Sequence, residues 1–280
     1  MMRVVSAQNT EKLAFAGLWL CTAIVILPVF GVTVVLAWRG ASALSWDIIA
    51  GGPHSLLAPI VGTILLVALT GLIAAPLGVA AAVYLSEYSR GGTLVRLIRL
   101  AIVNLAGVPS VVYGLFGLAL FVVLFQFGRS LLAGACTLSL LVLPLVISTS
   151  QEALRQVPGP LRHASLALGA SQWQTVRRVV LPNALPGIIT GLILSIGRAA
   201  GETAPILFTA AFYSLSDPFP KSLLDPILVL PYQLFVMATE VPNVAPAAKW
   251  ATAFVLLAIV LGMNLVAVIL RARLRGSRRW

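Results

Sequence analysis

Six apolar windows recur along this chain, each about as long as the 20 residues a helix needs to cross roughly 30 Å of hydrocarbon. They run from Leu13 to Ala37, Leu57 to Leu85, Leu100 to Phe127, Leu131 to Thr149, Leu185 to Phe212 and Ala251 to Leu270. No other feature constrains the fold as strongly. In hydrocarbon every backbone N–H and C=O must be bonded within protein, so each window is predicted to be a helix. The expected class is all-α: a polytopic membrane protein with six transmembrane helices. Composition agrees, because 60% hydrophobic and 10% charged residues lie far from the balance of a soluble domain. The first window is too long for a cleaved signal peptide, and a retained span is expected there.

Charge orients the bundle. Segments 1–12, 86–99, 150–184 and 271–280 carry fourteen of the nineteen Lys and Arg, while the opposite side carries Arg39, Arg129, Lys221 and Lys249. Basic loops stay inside, so both termini are predicted to be cytoplasmic and the chain to sit in the cytoplasmic (inner) membrane. The net charge of +11 is spread over short segments between windows rather than gathered on one face, which argues against nucleic acid. The C-terminal arginines fit an anionic lipid leaflet. Three regions follow: a tail, first span and external loop over 1–56, a helical core over 57–270, and a basic tail over 271–280.

Enzyme chemistry has no foothold. Cys21 and Cys136 both lie in apolar windows, away from any CxxC metal pattern or disulfide framework. The sequence has no Walker A loop, no HExxH and no nucleophile at motif spacing from a His and an acid, so no catalytic residue, metal site or cofactor is expected in this chain.

Local breakers shape the rest. Pro109, within GVPSVVYGLFG, should open the hydrogen-bond ladder of the third span and kink it. Prolines crowd the stretch from Tyr213 to Trp250 and rule out a regular span there, although Pro226 to Val236 is apolar enough to dip into the interface. The cytoplasmic segment 150–184 contains Pro158, Pro160 and Gly169, and two short helices meeting at a bend are expected. Its Leu166, Leu168, Trp173, Val176 and Val179 need a partner or the membrane surface to cover them.

Arg198 and Glu202 stand inside the fifth window, four residues apart and so on one helix face. With a span beginning near Pro186, Arg198 falls about 18 Å along it, close to the bilayer middle. Charges at that depth are expensive, and they point to an ion pair that holds helices together or to a site that meets a passing anion. Gly187 with Gly191, and Gly197 with Gly201, suit close helix contact.

The segment from His163 to Pro182 resembles the cytoplasmic EAA loop of ABC importer permeases. The spacing is kept as His163-Ala164-Ser165, Gly169 and Val179-Val180-Leu181-Pro182. The resemblance implies that this loop docks on an ATP-hydrolysing subunit through His163, Ala164, Gly169, Leu181 and Pro182, with Gly169 at the bend. His163 stands where the family has an acid and Ser165 where it has a second Ala, so the family's salt bridge at that acid is not expected.

LGASQWQTVRRVVLPNALPGIITGLILSIGRAAGETAPILFTAAF, GTILLVALTGLIAAPLGVAAAVYLSEY and LPYQLF together resemble the A-type permease of phosphate-specific (Pst) importers. That implies the type I ABC importer permease fold. It also implies a C-type permease partner, two ATP-binding subunits that hold ATP and Mg, and an external phosphate-binding protein. Arg198, Glu202 and Thr203 become the expected pathway residues, because guanidinium offers fixed N–H groups that match a tetrahedral oxyanion. A sister permease for another oxyanion is the nearest alternative, and a passive anion channel a more distant one.

Overall fold

The computed structural model describes residues 7–51, 55–89, 91–213 and 219–276. In order, the helices are α1 Ala7–Ala43, α2 Trp46–Ala50, α3 Leu57–Val83, α4 Thr93–Ala106, α5 Ser110–Gly117 and α6 Leu131–Arg155. They are followed by α7 Gly159–Ala167, α8 Gln172–Thr175, α9 Leu181–Ala200, α10 Ala204–Thr209, α11 Leu230–Thr239 and α12 Pro246–Gly276. Wider π-helical turns extend α3 over Tyr84–Tyr88, extend α5 over Leu118–Leu124, and join α8 to α9 over Val176–Val180. The only bridge between extended residues in the described chain pairs Ala211 with Ile227.

Among the described residues, five stretches are long and apolar enough to cross a membrane: Ala14–Ala43, Leu57–Tyr88, Leu131–Arg155, Gln172–Ala200 and Pro246–Arg273. The third predicted window is not one kinked span. It is α4 and α5, set at 104° to each other across Gly107 to Pro109. Pro109 has no N–H to continue the ladder, and its ring pushes Val108 out of the helical region, so the chain turns rather than bends slightly. Counting that pair as one broken span gives six.

Helices α3, α6 and α9 make the centre. At one end, Leu66 and Ala74 of α3 pack with Leu138, Val142 and Val146 of α6, Tyr113 of α5 and Ile206 of α10. At the other, Ala82 and Leu85 meet Ile147, Leu154, Val180, Ala184 and Ile188. The helix α12 lies against α9, and α1 reaches the body through α12, where the Arg39 guanidinium sits 5.2 Å from the Trp250 ring centre. The apolar surface of α1 is otherwise exposed, as expected of a helix facing lipid or a second membrane subunit.

Small residues set these distances. A Cβ on Gly187 would stand 2.7 Å from Ala153, one on Gly191 2.5 Å from Thr149, and one on Gly197 3.1 Å from Asn264. Three of the four expected glycines therefore lie at helix contacts, whereas Gly201 faces its own helix end. The tightest approach is elsewhere, where Gly62 of α3 lies under the Leu228 carbonyl and the neighbouring Thr63 hydroxyl accepts the Leu230 N–H at 3.0 Å. Gly62→Ala is expected to cost about 1–3 kcal/mol by overpacking. Thermal denaturation of the detergent-solubilised complex should show a lower midpoint than wild type.

The stretch from Phe219 to Thr239 is anchored in protein, with Phe219, Leu223, Leu224 and Phe235 left exposed. Ile227, Val229 and Leu230 are fully buried in protein, and α11 packs on α12 and α3. Asp225 and Leu223 carbonyls accept the first N–H groups of α6, and the Ser130 side chain caps the same helix, so this segment closes one end of the bundle. Pro218 of the expected proline run lies outside the described residues, as do Arg278 and Arg279 of the tail.

Candidate functional site

Two places carry the residues singled out from the sequence. The first is a helical hairpin between α6 and α9. Its first arm, α7, ends at Gly169, whose φ of +83° puts it in the left-handed region where glycine carries no side-chain penalty. The Gly169 N–H donates to the Leu166 carbonyl at 3.0 Å and the Ala170 N–H to the Ser165 carbonyl at 3.2 Å, which is the Schellman closure of a helix end. The second arm, α8, opens on a capping box: Ser171 accepts the Gln174 N–H, and the Gln174 side chain accepts the Ser171 N–H. Ser165, at the position where an alanine was expected, shares a 2.9 Å hydrogen bond with Thr175 across the bend.

His163 and Ala164 are exposed on α7, while Leu181 and Pro182 are half-buried at the start of α9. The second arm is therefore not a separate short helix, since it runs through the π turn straight into α9. Val176 is buried by this continuity and Val179 half-buried, so they need no partner. Leu166, Leu168 and Trp173 do remain outside, and Leu168 is 89% exposed.

Sequence reasoning missed what fastens the hairpin. The Arg162 guanidinium donates to both carboxylate oxygens of Glu87, at 3.2 and 2.9 Å, and to the carbonyls of Val157 at 2.6 Å and Leu154 at 2.8 Å. Glu87 belongs to the π turn that ends α3, and its own carbonyl accepts from Gln172 of α8 at 2.7 Å. Arg99 of α4 donates to the Leu85 carbonyl of the same turn at 2.9 Å. The clue was the lone acid in LSEY at the end of an apolar window, but its partner lies 75 residues away.

The second place is the end of α9. The helix does not continue through the fifth window. The Gly201 and Glu202 N–H groups bond back three residues, to Arg198 and Ala199, and the chain breaks before α10 begins at Ala204. Arg198 is thus not in the middle of a continuous span; it occupies the last turn, about 26 Å from Leu181 at 1.5 Å per residue. A cation there also faces the negative end of the helix dipole.

The Arg198 Nε lies 3.7 Å from Glu202 Oε1, with the Arg side chain 58% exposed and the Glu 17%. That single long contact leaves both Nη groups without a hydrogen-bond partner among the described residues. Thr203 follows, half-buried, and its hydroxyl makes no capping bond to α10.

A cavity of about 400 Å³ opens on α9 between α6 and α12, with Thr149, Glu152, Asn183, Thr190 and Arg271 among its lining. Its α9 wall follows Asn183, Gly187, Gly191 and Leu194 in three- or four-residue steps, and the next such step is Arg198. Arg198 therefore stands one turn beyond a polar recess on its own helix face. The recess was not foreseen, because its walls come from three separated segments. Among the described residues no three His, Cys, Asp or Glu side chains gather as metal ligands.

The fold is that of a polytopic membrane protein with five to six apolar spans among the described residues. A chain of the MetNI methionine ABC transporter in an inward-facing conformation superposes with a TM-score of 0.65 at 19% identity, over 82% of this chain and 99% of that one. A chain of a bacterial alginate ABC transporter, solved in complex with an alginate pentasaccharide-bound periplasmic protein, gives 0.63 at 14%, over 97% and 95%. The architecture is the type I ABC importer permease fold.

Residues 74–276 match the family described as binding-protein-dependent transport system inner membrane component, and the chain belongs to that family. Among its relatives, phosphate transport system permease protein PstA 1 of Mycobacterium tuberculosis is 37% identical over 232 residues, covering 82% of this chain and 73% of the relative. The probable ABC transporter permease protein YqgI of Bacillus subtilis is 34% identical over 276 residues, covering 92% and 94%. PstA of Pasteurella multocida is 34% identical over 261 residues, covering 90% and 88%.

Proposed function

We propose that this chain is the A-type permease half of an ATP-driven importer that moves inorganic phosphate across the cytoplasmic membrane. Family membership and the PstA relatives support the class. The observation that carries the anion assignment is the Arg198 guanidinium, 58% exposed at a helix break, with only one long contact to Glu202. An oxyanion can replace its water there with Nη–H donors, and the nearby carboxylate tempers the attraction so that the anion also leaves. One Arg beside one Glu gives little net field, so a C-type permease is assigned to supply further cations across the pathway.

ATP and Mg are bound by two partner subunits, docked on the exposed hairpin at His163, Ala164 and the Gly169 bend, with Leu181 and Pro182 carrying the motion into α9. An external binding protein delivers phosphate, and both termini are cytoplasmic, as the basic loops require. Exposed apolar faces such as α1 meet lipid or the partner permease.

The assembled transporter, isolated with its partner chains and reconstituted in vesicles, is expected to take up labelled phosphate only with ATP on the hairpin side. Excess sulfate should not displace it. Uptake without ATP would identify a channel, and preferential sulfate or molybdate uptake would overturn the cargo.

A further inference from the structure

We infer that Arg162 is the positioning residue that couples the hairpin to the transmembrane core. The inference rests on the docking role proposed for that hairpin.

A hairpin pushed by a partner can move the core only where it is tied to it. The second arm is tied covalently, through the continuous helix into α9. The first arm, α7, leaves α6 through Gln156 to Pro158, a short connection with a proline, and is otherwise held by Leu161 on the apolar cluster and by Ser165 on Thr175. Arg162, one turn into α7, adds the charge-assisted tie to the helix ends. Its fork reaches the carboxylate of Glu87 at the end of α3, the Leu154 carbonyl in the last turn of α6 and the Val157 carbonyl just beyond it. One side chain thus joins α7 to the ends of α3 and α6, and Gln172 ties α8 to the Glu87 carbonyl.

Burial makes the joint stiff. Glu87 is 8% exposed and Arg162 21%, so breaking the pair strands a nearly desolvated carboxylate. The joint also sits on the apolar cluster of Leu85, Leu154, Val157 and Val180. These side chains belong to the ends of α3, α6 and the π turn before α9, so a displacement of α7 reaches all three central helices together. The end of α3 that holds Glu87 is π-helical at Tyr84–Tyr88, and the π turn Val176–Val180 brings Val180 into the same cluster. A π turn has one residue more per hydrogen-bonded loop than an α turn and is frequent at functional sites. Lysine would keep the charge but cannot span a carboxylate and two carbonyls at once.

The test uses the assembled transporter in nanodiscs with its partner chains, trapped with ATP and vanadate. Hydrogen exchange is followed separately in peptides of the hairpin, residues 159–176, and of the helix ends, residues 82–99 and 150–158. In wild type both groups should change on trapping. In Arg162→Ala the ATPase subunit should stay bound and the hairpin peptides should still respond, but the helix-end peptides should not. In sealed vesicles without vanadate, transport per ATP hydrolysed should fall about tenfold in the same variant, within the usual range of couplings between sites. Glu87→Gln should show the same pattern more weakly, and Arg162→Lys should remain uncoupled.

Unchanged transmission to the helix ends in Arg162→Ala, full recovery in Arg162→Lys, or loss of the ATPase subunit from either variant would overturn the assignment. A wild-type complex that hydrolyses ATP without moving phosphate would sink the cargo alone, because the exchange pattern reads the joint whatever is carried. A wild-type hairpin blind to vanadate would overturn the joint together with the docking role.

Discussion

Replacing Arg198 with alanine is expected to reduce phosphate uptake by about a hundredfold or more, while the transporter still assembles and hydrolyses ATP. The fold should tolerate the change. The side chain is mostly exposed, alanine is the better helix former, and no buried donor is lost at the helix break. The electrostatics should not tolerate it. With the guanidinium gone, Glu202 is left as an uncompensated carboxylate beside the proposed path, so the local charge falls from zero to minus one. A unit charge at about 4 Å is worth roughly 4 kcal/mol at an effective dielectric of 20, and a phosphate dianion feels it twice over.

The decisive control is Arg198→Ala combined with Glu202→Ala, which restores neutrality without restoring donors. If Arg198 contacts the anion, the double variant stays inactive. Uptake at the wild-type level in the double variant would show that Arg198 only neutralises Glu202, and the anion contact would have to be sought elsewhere. Arg198→Lys should fall between, since it keeps the charge but loses the fork that fits an oxyanion.

Much of this architecture was legible because hydrocarbon imposes a length. Windows such as Leu131 to Thr149 and Ala251 to Leu270 became helices, Leu131–Arg155 and Pro246–Gly276, that run five or six residues further at three of the four ends. The Gly169 bend was legible too, because a helix that starts at Pro158 to Pro160 and must turn back before the next apolar window leaves glycine, nine residues after Pro160, for a left-handed position. What escaped was tertiary. Apolar composition over Leu185 to Phe212 is continuous, so nothing local announced that α9 ends at Ala200 and leaves Arg198 on its last turn. Pro109 was visible, yet a proline alone does not say whether a helix bends by twenty degrees or by the 104° observed; the packing of α5 on α10 decides that. The packing of Pro226 to Val236 on α3 and α12 was not announced by its apolar composition, because burial against a helix and burial in lipid call for the same side chains. Glu87 and Arg162 were each ordinary charges at the end of an apolar segment until the fold brought them together.

The Gly169 series separates conformation from contact. Nothing lies within 4 Å of the place where a Cβ would stand, so no substitution there clashes with this chain. The cost comes from φ alone, since an L residue held at +83° carries roughly 1–2 kcal/mol of steric strain, with asparagine the exception because its side chain tolerates the left-handed region. A β-branched residue is worse still. If the bend itself sets how the hairpin presents His163, Ala164 and Leu168 to an ATPase, coupled transport should fall in the order Gly, Asn, Ala, Val, with Gly169→Val losing most of the bound ATPase subunit. If instead the surface around Gly169 merely has to be small to admit a partner, the order becomes Gly, Ala, then Asn and Val together. Co-purification of the ATPase subunit and transport per ATP hydrolysed, measured across the three variants, distinguish the two. Asparagine better than alanine places the control in the backbone, where the Schellman closure at Ser165 and Leu166 holds the two arms at their angle. Alanine better than asparagine would place it in the interface and remove the bend from the coupling route.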